Sequence, residues 1–131
     1  ILRSYPVRGC TDVTGFGLLG HLQEMLTASR CSATVSLDAI PVMDGAQPCS
    51  AQGIRSTLHP HNQQAARCQL NSDNHPNYNL LFDPQTAGGL LAGVPAASAE
   101  ECLRKLREAG YAAASVGVVT ADDQDPLVIL T

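Results

Sequence analysis

The stretch CTDVTGFGLLGH at residues 10–21 limits the possible folds of this chain more than any other feature of its sequence. The residues before it have the pattern of a short strand ending near Cys10, and those after it predict a helix over about 14–29. That helix has one apolar face, formed by Leu18, Leu19, Leu22, Met25 and Leu26. A strand therefore leads directly into an amphipathic helix, and one carboxylate, two hydroxyls and three glycines lie at the junction.

Residues 11–17 at this junction, the first glycine loop, have the chemistry of a phosphate and metal site. Glycines let a ligand approach the backbone, and the N–H groups at a helix start bind phosphate. Asp12 beside a phosphate suits Mg²⁺, which prefers one or two carboxylates together with phosphate oxygens and water. The loop is also compatible with a simple tight turn, in which Asp and Thr side chains cap nearby N–H groups.

Residues 83–89 (DPQTAGG), the second glycine loop, repeat this combination of an Asp, a Thr and adjacent glycines. Apolar residues at 80–82 and 90–94 flank the loop and predict two neighbouring strands. The same two interpretations, ligand site or tight turn, apply here. Neither loop contains the lysine of a P-loop, and the GFGLLG stretch starts inside the predicted helix, which argues against a dinucleotide-binding fold.

The middle of the chain combines one clear strand with a long polar segment. Alternating polar and apolar residues predict a half-buried strand over 32–38. Its predicted inward residues are Ala33, Val35 and Leu37. Residues 44–78 are polar and predict only short helices, near 43–52 and 63–69. Segments of this length without strong periodicity often carry function.

The last third of the chain contains the clearest helix, predicted over 98–109. Ser98 and Glu101 have the spacing of a capping box, and Gly110 suits the position after the last turn. The predicted buried residues of this helix are Ala99, Cys102, Leu103 and Leu106.

Two final strands, at 116–119 and 127–130, are predicted to pair across an acidic, solvated turn at 122–125. The order of all these elements indicates an α+β fold, with helices packed on a mixed β-sheet.

Composition excludes several classes of function. The chain has 131 residues, 44% of them hydrophobic and 15% charged, which suits one globular domain with a real core. Its 8 basic residues do not cluster and its net charge is −4, so we expect neither nucleic-acid binding nor membrane binding. The 5 cysteines contain no Cys-x-x-Cys pair and predict free thiols in a cytoplasmic protein. Because the chain begins with Ile1 and has no signal-peptide pattern, we expect it to start inside a longer protein.

Residue identity adds a specific resemblance. The stretches TDVTGFGLLGH (11–21) and LFDPQTAGGLL (81–91) resemble the signatures of the selenophosphate synthetase (selenide, water dikinase) family, in the expected order. The tail, with AGY at 109–111 and VGVV at 116–119, is similar to the end of that family as well. The resemblance implies a single domain over 1–131, the C-terminal domain whose fold is shared with aminoimidazole ribonucleotide synthetase. The N-terminal ATP-binding and catalytic domain would be absent from this chain.

The resemblance implies formation of selenophosphate from selenide, ATP and water, with release of AMP and phosphate and with Mg²⁺. Asp12 matches the carboxylate that this domain contributes to the metal site. The nucleophilic Cys or selenocysteine and the essential Lys would belong to the missing N-terminal domain, so this chain alone is expected to be inactive. A homodimer is implied for the full-length protein. We expect the ATP and selenide cleft to be lined by Thr11, Thr14, Gly15 and Gly17, with Thr86, Gly88 and Gly89 near it.

Several alternatives stay open at this level. The chain could belong to another ATP-using member of the superfamily, such as thiamine monophosphate kinase, or to a non-catalytic binding module with the same fold. His21 could be a hydrogen-bonded residue at the edge of the core or an acid/base. Asp83 could cap its own turn or bind a ligand. A zinc cluster of His59, His61, Cys68 and His75 is disfavoured because its spacing fits no compact zinc site. Ordering of residues 44–78 on ATP binding also stays open.

Overall fold

The structure is a computed structural model that describes residues 1–70, 75–121 and 128–131. Its helices are α1 (Gly17–Ser29), α2 (Ala46–Ala51), α3 (His59–Ala65) and α4 (Ala96–Glu108). Its strands are β1 (Gly9–Asp12), β2 (Cys31–Val35), β3 (Cys68–Leu70), β4 (Leu90–Gly93), β5 (Gly117–Ala121) and β6 (Val128–Leu130). Single turns of 3₁₀ helix occupy Leu2–Ser4, Leu37–Ala39 and Tyr78–Phe82. The predicted α+β fold is confirmed.

Four strands form a mixed sheet in the order β3-β6-β2-β5. Strand β6 runs parallel to both β2 and β3, whereas β5 runs antiparallel to β2. The predicted pairing of the last strand with its predecessor is therefore wrong. The physical reason is burial: Val128 and Leu130 have no exposed surface, which requires neighbours on both sides, whereas every residue of the edge strand β5 is exposed. The acidic stretch 122–125 lies outside the described residues.

A separate two-stranded sheet pairs β1 with β4 in antiparallel register, from Gly9 opposite Gly93 to Asp12 opposite Leu90. The first strand lies slightly later than its predicted position. The predicted strand at 80–82 is wrong, because these residues belong to the 3₁₀ helix Tyr78–Phe82. Burial of the three apolar residues was compatible with either structure. Phe82 lies in a helical turn and makes T-shaped ring contacts with Tyr78 and His59, with ring centroids 5.1 and 5.7 Å away.

The core lies between α1, the four-stranded sheet and the 3₁₀ helix Tyr78–Phe82. Helix α1 begins at Gly17, three residues later than predicted, and contributes Leu19, Leu22 and Leu26 to the core. Leu18 and Met25, predicted on the same face, are half-buried. The predicted inward residues of the second strand are confirmed: Ala33, Val35 and Leu37 are all buried, although β2 ends at Val35.

Helix α4 begins at Ala96, two residues before its predicted start, so the predicted capping box is wrong. Pro95 is the N-cap, and its fixed φ of −55° already suits the approach to a helix. Glu101 instead forms an ion pair with Lys105 at 2.8 Å, and this neighbour lowers the pKa of Glu101. Gly110 follows the last turn with φ +87°, as predicted.

Of the residues predicted to form the buried stripe of α4, Cys102 is buried, whereas Ala99, Leu103 and Leu106 are half-buried. Cys102 is not among the described residues of the main core cluster, so α4 buries this side chain outside that cluster.

The polar segment contains α2, α3 and β3 rather than a predominantly irregular loop. The second helix lies at His59–Ala65 instead of 63–69, because Pro60 occupies its first turn, where the missing N–H group costs nothing. Cys68 lies in β3, a strand that the sequence did not reveal.

Candidate functional site

The pairing of β1 with β4 brings the two glycine loops together at one end of the two-stranded sheet. The N–H group of Val13 donates a hydrogen bond to the Gly89 carbonyl at 2.9 Å. The N–H group of Gln85 donates to the Thr14 carbonyl at 3.0 Å. Residues 71 and 76 positions apart in sequence thus lie side by side, and the place of Gly88 and Gly89 near an ATP and selenide cleft stays a prediction.

The glycines of the two loops fall into two kinds. Gly17 has φ +70°, and a Cβ atom there would lie 2.7 Å from the Leu81 carbonyl oxygen. A Cβ atom at Gly88 would overlap the Val13 carbonyl oxygen. By contrast, a Cβ atom added at Gly15 or at Gly89 would have no other atom within 4 Å. Gly17 and Gly88 therefore allow close backbone packing, whereas Gly15 and Gly89 leave open space in which a ligand could approach.

The glycine at position 20 makes room for an aromatic side chain. A Cβ atom at Gly20 would lie 2.6 Å from the Cβ of Phe16, so the glycine lets Phe16 fold back over the first turn of α1. The Phe16 ring then lies 5.4 Å from the His21 ring, yet 56% of Phe16 remains exposed. Phe16 thus shields His21 on one side and presents an apolar surface beside the loops.

His21 contacts the side chains of two neighbours, one through a hydrogen bond and one through an ion-pair contact. Its Nε2 lies 3.0 Å from the Thr14 hydroxyl, and its Nδ1 lies 3.2 Å from a carboxylate oxygen of Glu24, one turn further along α1. The residue is only 7% exposed. The prediction of a hydrogen-bonded residue at the edge of the core is confirmed, and the hydroxyl that it holds belongs to the first glycine loop.

Asp12 is exposed at the end of β1, and its backbone pairs with Leu90. Its carboxylate has no hydrogen bond or ion pair within the part of the chain that the structure describes. The Thr11 hydroxyl donates to the Asp12 carbonyl at 3.2 Å, so that hydroxyl is engaged with the backbone. In residues 1–70, 75–121 and 128–131, no group of three or more His, Cys, Asp or Glu side chains could hold a metal. An exposed and uncommitted carboxylate fits a Mg²⁺ ion whose other ligands come from elsewhere.

Asn62, on α3, joins the two loops and was missed by sequence reasoning. Its side-chain amide donates to the carbonyl oxygens of Gly15 and Phe82, both at 2.9 Å. Phe82 immediately precedes the second glycine loop, so one side chain holds both loops against α3. A single asparagine in a polar segment gives no signal of such a role, which depends on a contact across 47 positions.

The second glycine loop is more open than the first. Gln85, Thr86 and Ala87 are all exposed. The predicted capping bond from the Asp83 side chain is not formed among the described residues; Asp83 instead lines a cavity of about 230 Å³ between α2, α3 and the 3₁₀ helix. Arg55 and His59 line the same cavity.

The histidines and cysteines of the polar segment have separate partners. His59 is buried and contacts the Asn79 carbonyl at 2.9 Å, whereas His75 contacts Asp38 at 3.0 Å. Burial raises the pKa of the Cys68 thiol. All five cysteines are free, as predicted. In the described ranges, no helix has the length and apolar character that crossing a bilayer requires.

Comparison with known proteins gives these features a context. The family model described as "AIR synthase related protein, C-terminal domain" matches residues 1–129. A "Selenide, water dikinase" of Agathobacter rectalis is 38% identical over 89% of this chain, and one of Myxococcus xanthus is 41% identical over 89%. A third, from Desulfitobacterium hafniense, is 36% identical over 97% of the chain. The chain spans about a third of the length of these relatives, 35%, 34% and 38% respectively.

Proposed function

The chain belongs to the family described as "AIR synthase related protein, C-terminal domain". We propose that it is the C-terminal domain of a selenide, water dikinase. The full-length enzyme would form selenophosphate from selenide, ATP and water, and would release AMP and phosphate. The observation that carries the proposal is the joining of the two glycine loops by hydrogen bonds, with the exposed carboxylate of Asp12 at their edge. The names of the relatives support the choice of substrate.

In this proposal Asp12 is one ligand of Mg²⁺, and Mg²⁺ when bound neutralises phosphate charge, on which phosphoryl transfer depends strongly. Thr14 and the open backbone at Gly15 would face the bound nucleotide from the first loop. Thr86 and Gly89 would face it from the second loop. No side chain caps the start of α1 within the described residues, so the N–H groups there remain suited to an anion. Thr11, Gly17 and Gly88 would not contact the ligand directly but would hold the two loops in the shape of this surface.

The chemistry would need the N-terminal part of the protein. We propose that the nucleophilic Cys or selenocysteine, the essential Lys and the other metal carboxylates lie there, and that this chain alone is inactive. Cytoplasmic location and a homodimer of the full-length protein are part of the same proposal. The chain matches about a third of the length of its relatives, which is consistent with catalytic residues in another part of the full-length protein.

The test is selenide-dependent AMP release by the full-length protein at a series of Mg²⁺ concentrations. Asp12→Asn should lower the rate at least about tenfold, because loss of groups around a bound metal typically costs 10- to 100-fold. Asp44→Asn, at an exposed carboxylate on the loop before α2, is the matched control and should leave the rate unchanged. Full activity of Asp12→Asn would remove Asp12 from the metal site. Thiamine monophosphate phosphorylation without selenide turnover would replace the proposed reaction.

A further inference from the structure

The side chains around His21 determine which way the Thr14 hydroxyl points. An oxygen of the Glu24 carboxylate lies 3.2 Å from Nδ1 of His21, and an ionised carboxylate at this distance favours the tautomer that carries its hydrogen on Nδ1, beside the negative charge. In the neutral ring the other nitrogen, Nε2, then has only a lone pair. In this tautomer the Thr14 hydroxyl, 3.0 Å from Nε2, donates its single hydrogen to His21.

This leaves Thr14 with lone pairs alone to offer to a ligand. A hydroxyl oxygen in this state repels a phosphate oxygen but accepts a hydrogen bond from water or binds a cation directly. The orientation is well enforced, because His21 is only 7% exposed and the Phe16 ring packs on it.

Thr14 also lies in the same loop as the proposed metal ligand, two positions after it. Asp12 is exposed and Thr14 is half-buried, whereas Val13 between them is only 4% exposed. Both residues thus keep solvent-accessible surface within the first glycine loop.

We propose that His21, held by Glu24, is a positioning residue that makes Thr14 an acceptor for the hydrated Mg²⁺ of the nucleotide rather than a donor to its phosphates. The inference rests on the proposed function for its ligand, but the hydrogen-bond direction within the chain does not. The proposal gives a role to His21 and Glu24. Within the first loop, side-chain oxygens would then face the metal, and backbone N–H groups would face the phosphates.

The hydrogen-bond direction is tested by NMR on the chain with ¹⁵N-labelled histidine, at about pH 8, above the usual histidine range. The chain has 4 histidines, and the spectrum of His21→Gln identifies the signal of His21. The expected result is a hydrogen on Nδ1 and a bare Nε2. Glu24→Ala should move part of the population to the opposite tautomer. A hydrogen on Nε2 in the unmodified chain would overturn the proposal.

The ligand is tested by kinetics of the full-length protein, with Mg²⁺ and ATP varied separately. Thr14→Val and His21→Leu should raise the Mg²⁺ concentration for half-maximal rate about three- to tenfold, the effect of one lost hydrogen bond, with the KM for ATP at saturating Mg²⁺ unchanged. Thr14→Ser and His21→Gln keep the contact and should restore normal behaviour. A raised KM for ATP with unchanged Mg²⁺ dependence, or no change in either, would contradict the proposal. If the protein does not turn over selenide at all, the proposed function fails, while the NMR result still decides the hydrogen-bond direction.

Discussion

The two glycine loops have the same residue types but opposite environments. In the first loop Val13 and Gly17 are buried, and the loop continues into α1, the main helix of the core. In the second loop Gln85, Thr86 and Ala87 are exposed, and the chain continues into the two-stranded sheet. The first loop is thus part of the core, whereas the second is attached to it.

This difference gives the site a hierarchy. The first loop owes its shape to packing, while the second owes its position to two backbone hydrogen bonds with the first and to the amide of Asn62 beside Phe82. A disruptive substitution in the first loop should therefore destabilise both loops and the core. A disruptive substitution in the second loop should affect the structure only locally.

The largest effect is expected from Gly17→Ala. The residue has φ +70°, and its new methyl group would lie 2.7 Å from the Leu81 carbonyl, so strain and overpacking add. We expect a loss of about 2–5 kcal/mol in the free energy of unfolding, measured by chemical denaturation.

The matched controls for Gly17 are glycines that have no neighbour at the Cβ position. Gly15→Ala tests the same loop and Gly89→Ala the other, and each should change stability by less than about 0.5 kcal/mol. If all three variants unfold at the same denaturant concentration, Gly17 does not pack against the Leu81 carbonyl, and the first loop is not part of the core.

Asn62→Leu should have the next largest effect. The change removes the donor of two hydrogen bonds and leaves the carbonyls of Gly15 and Phe82 without it, at a cost of about 1–3 kcal/mol. Gln64→Leu, on an exposed face of the same helix, should change stability by less than about 0.5 kcal/mol. Equal stability of the two variants would mean that Asn62 does not hold the loops together.

Gly88→Ala should separate the loops with a smaller global cost. The methyl group would overlap the Val13 carbonyl, but the exposed second loop can move away, so we expect about 1–2 kcal/mol. Amide hydrogen exchange should become faster at Val13 and Gln85, whose N–H groups bridge the loops, and stay unchanged within α1. Faster exchange throughout α1 would show that the second loop also supports the core.

Local patterns in the sequence were enough to predict what is locally determined. The spacing of Leu19, Leu22 and Leu26 identified α1, and the alternation around Val35 identified the inward face of β2. Gly110 marked the end of α4 because only a glycine readily adopts its positive φ. The resemblance of the two motifs identified the family.

What the sequence could not reveal depends on contacts between distant residues. The run Leu80–Phe82 is apolar in either a strand or a 3₁₀ helix, and packing against α1 and α3 decides between them. The central place of β6 follows from a register with β2 across about a hundred positions. The role of Asn62 likewise exists only once α3 lies beside both loops. The metal and nucleotide assignments of the site residues stay predictions.

Thr86→Ala should have the smallest effect on stability and separates a ligand residue from a mere surface turn. Thr86 is exposed, so the free energy of unfolding should change by less than about 0.5 kcal/mol. If its hydroxyl binds the nucleotide, the KM for ATP of the full-length protein should rise about three- to tenfold, and Thr86→Ser should restore it. Ala87→Ser, at the exposed neighbouring position, is the control and should leave the KM unchanged. An unchanged KM in Thr86→Ala would remove the Thr86 hydroxyl from the nucleotide site and leave the second loop only its backbone to offer a ligand. The asymmetry between the loops would then extend from packing to ligand binding.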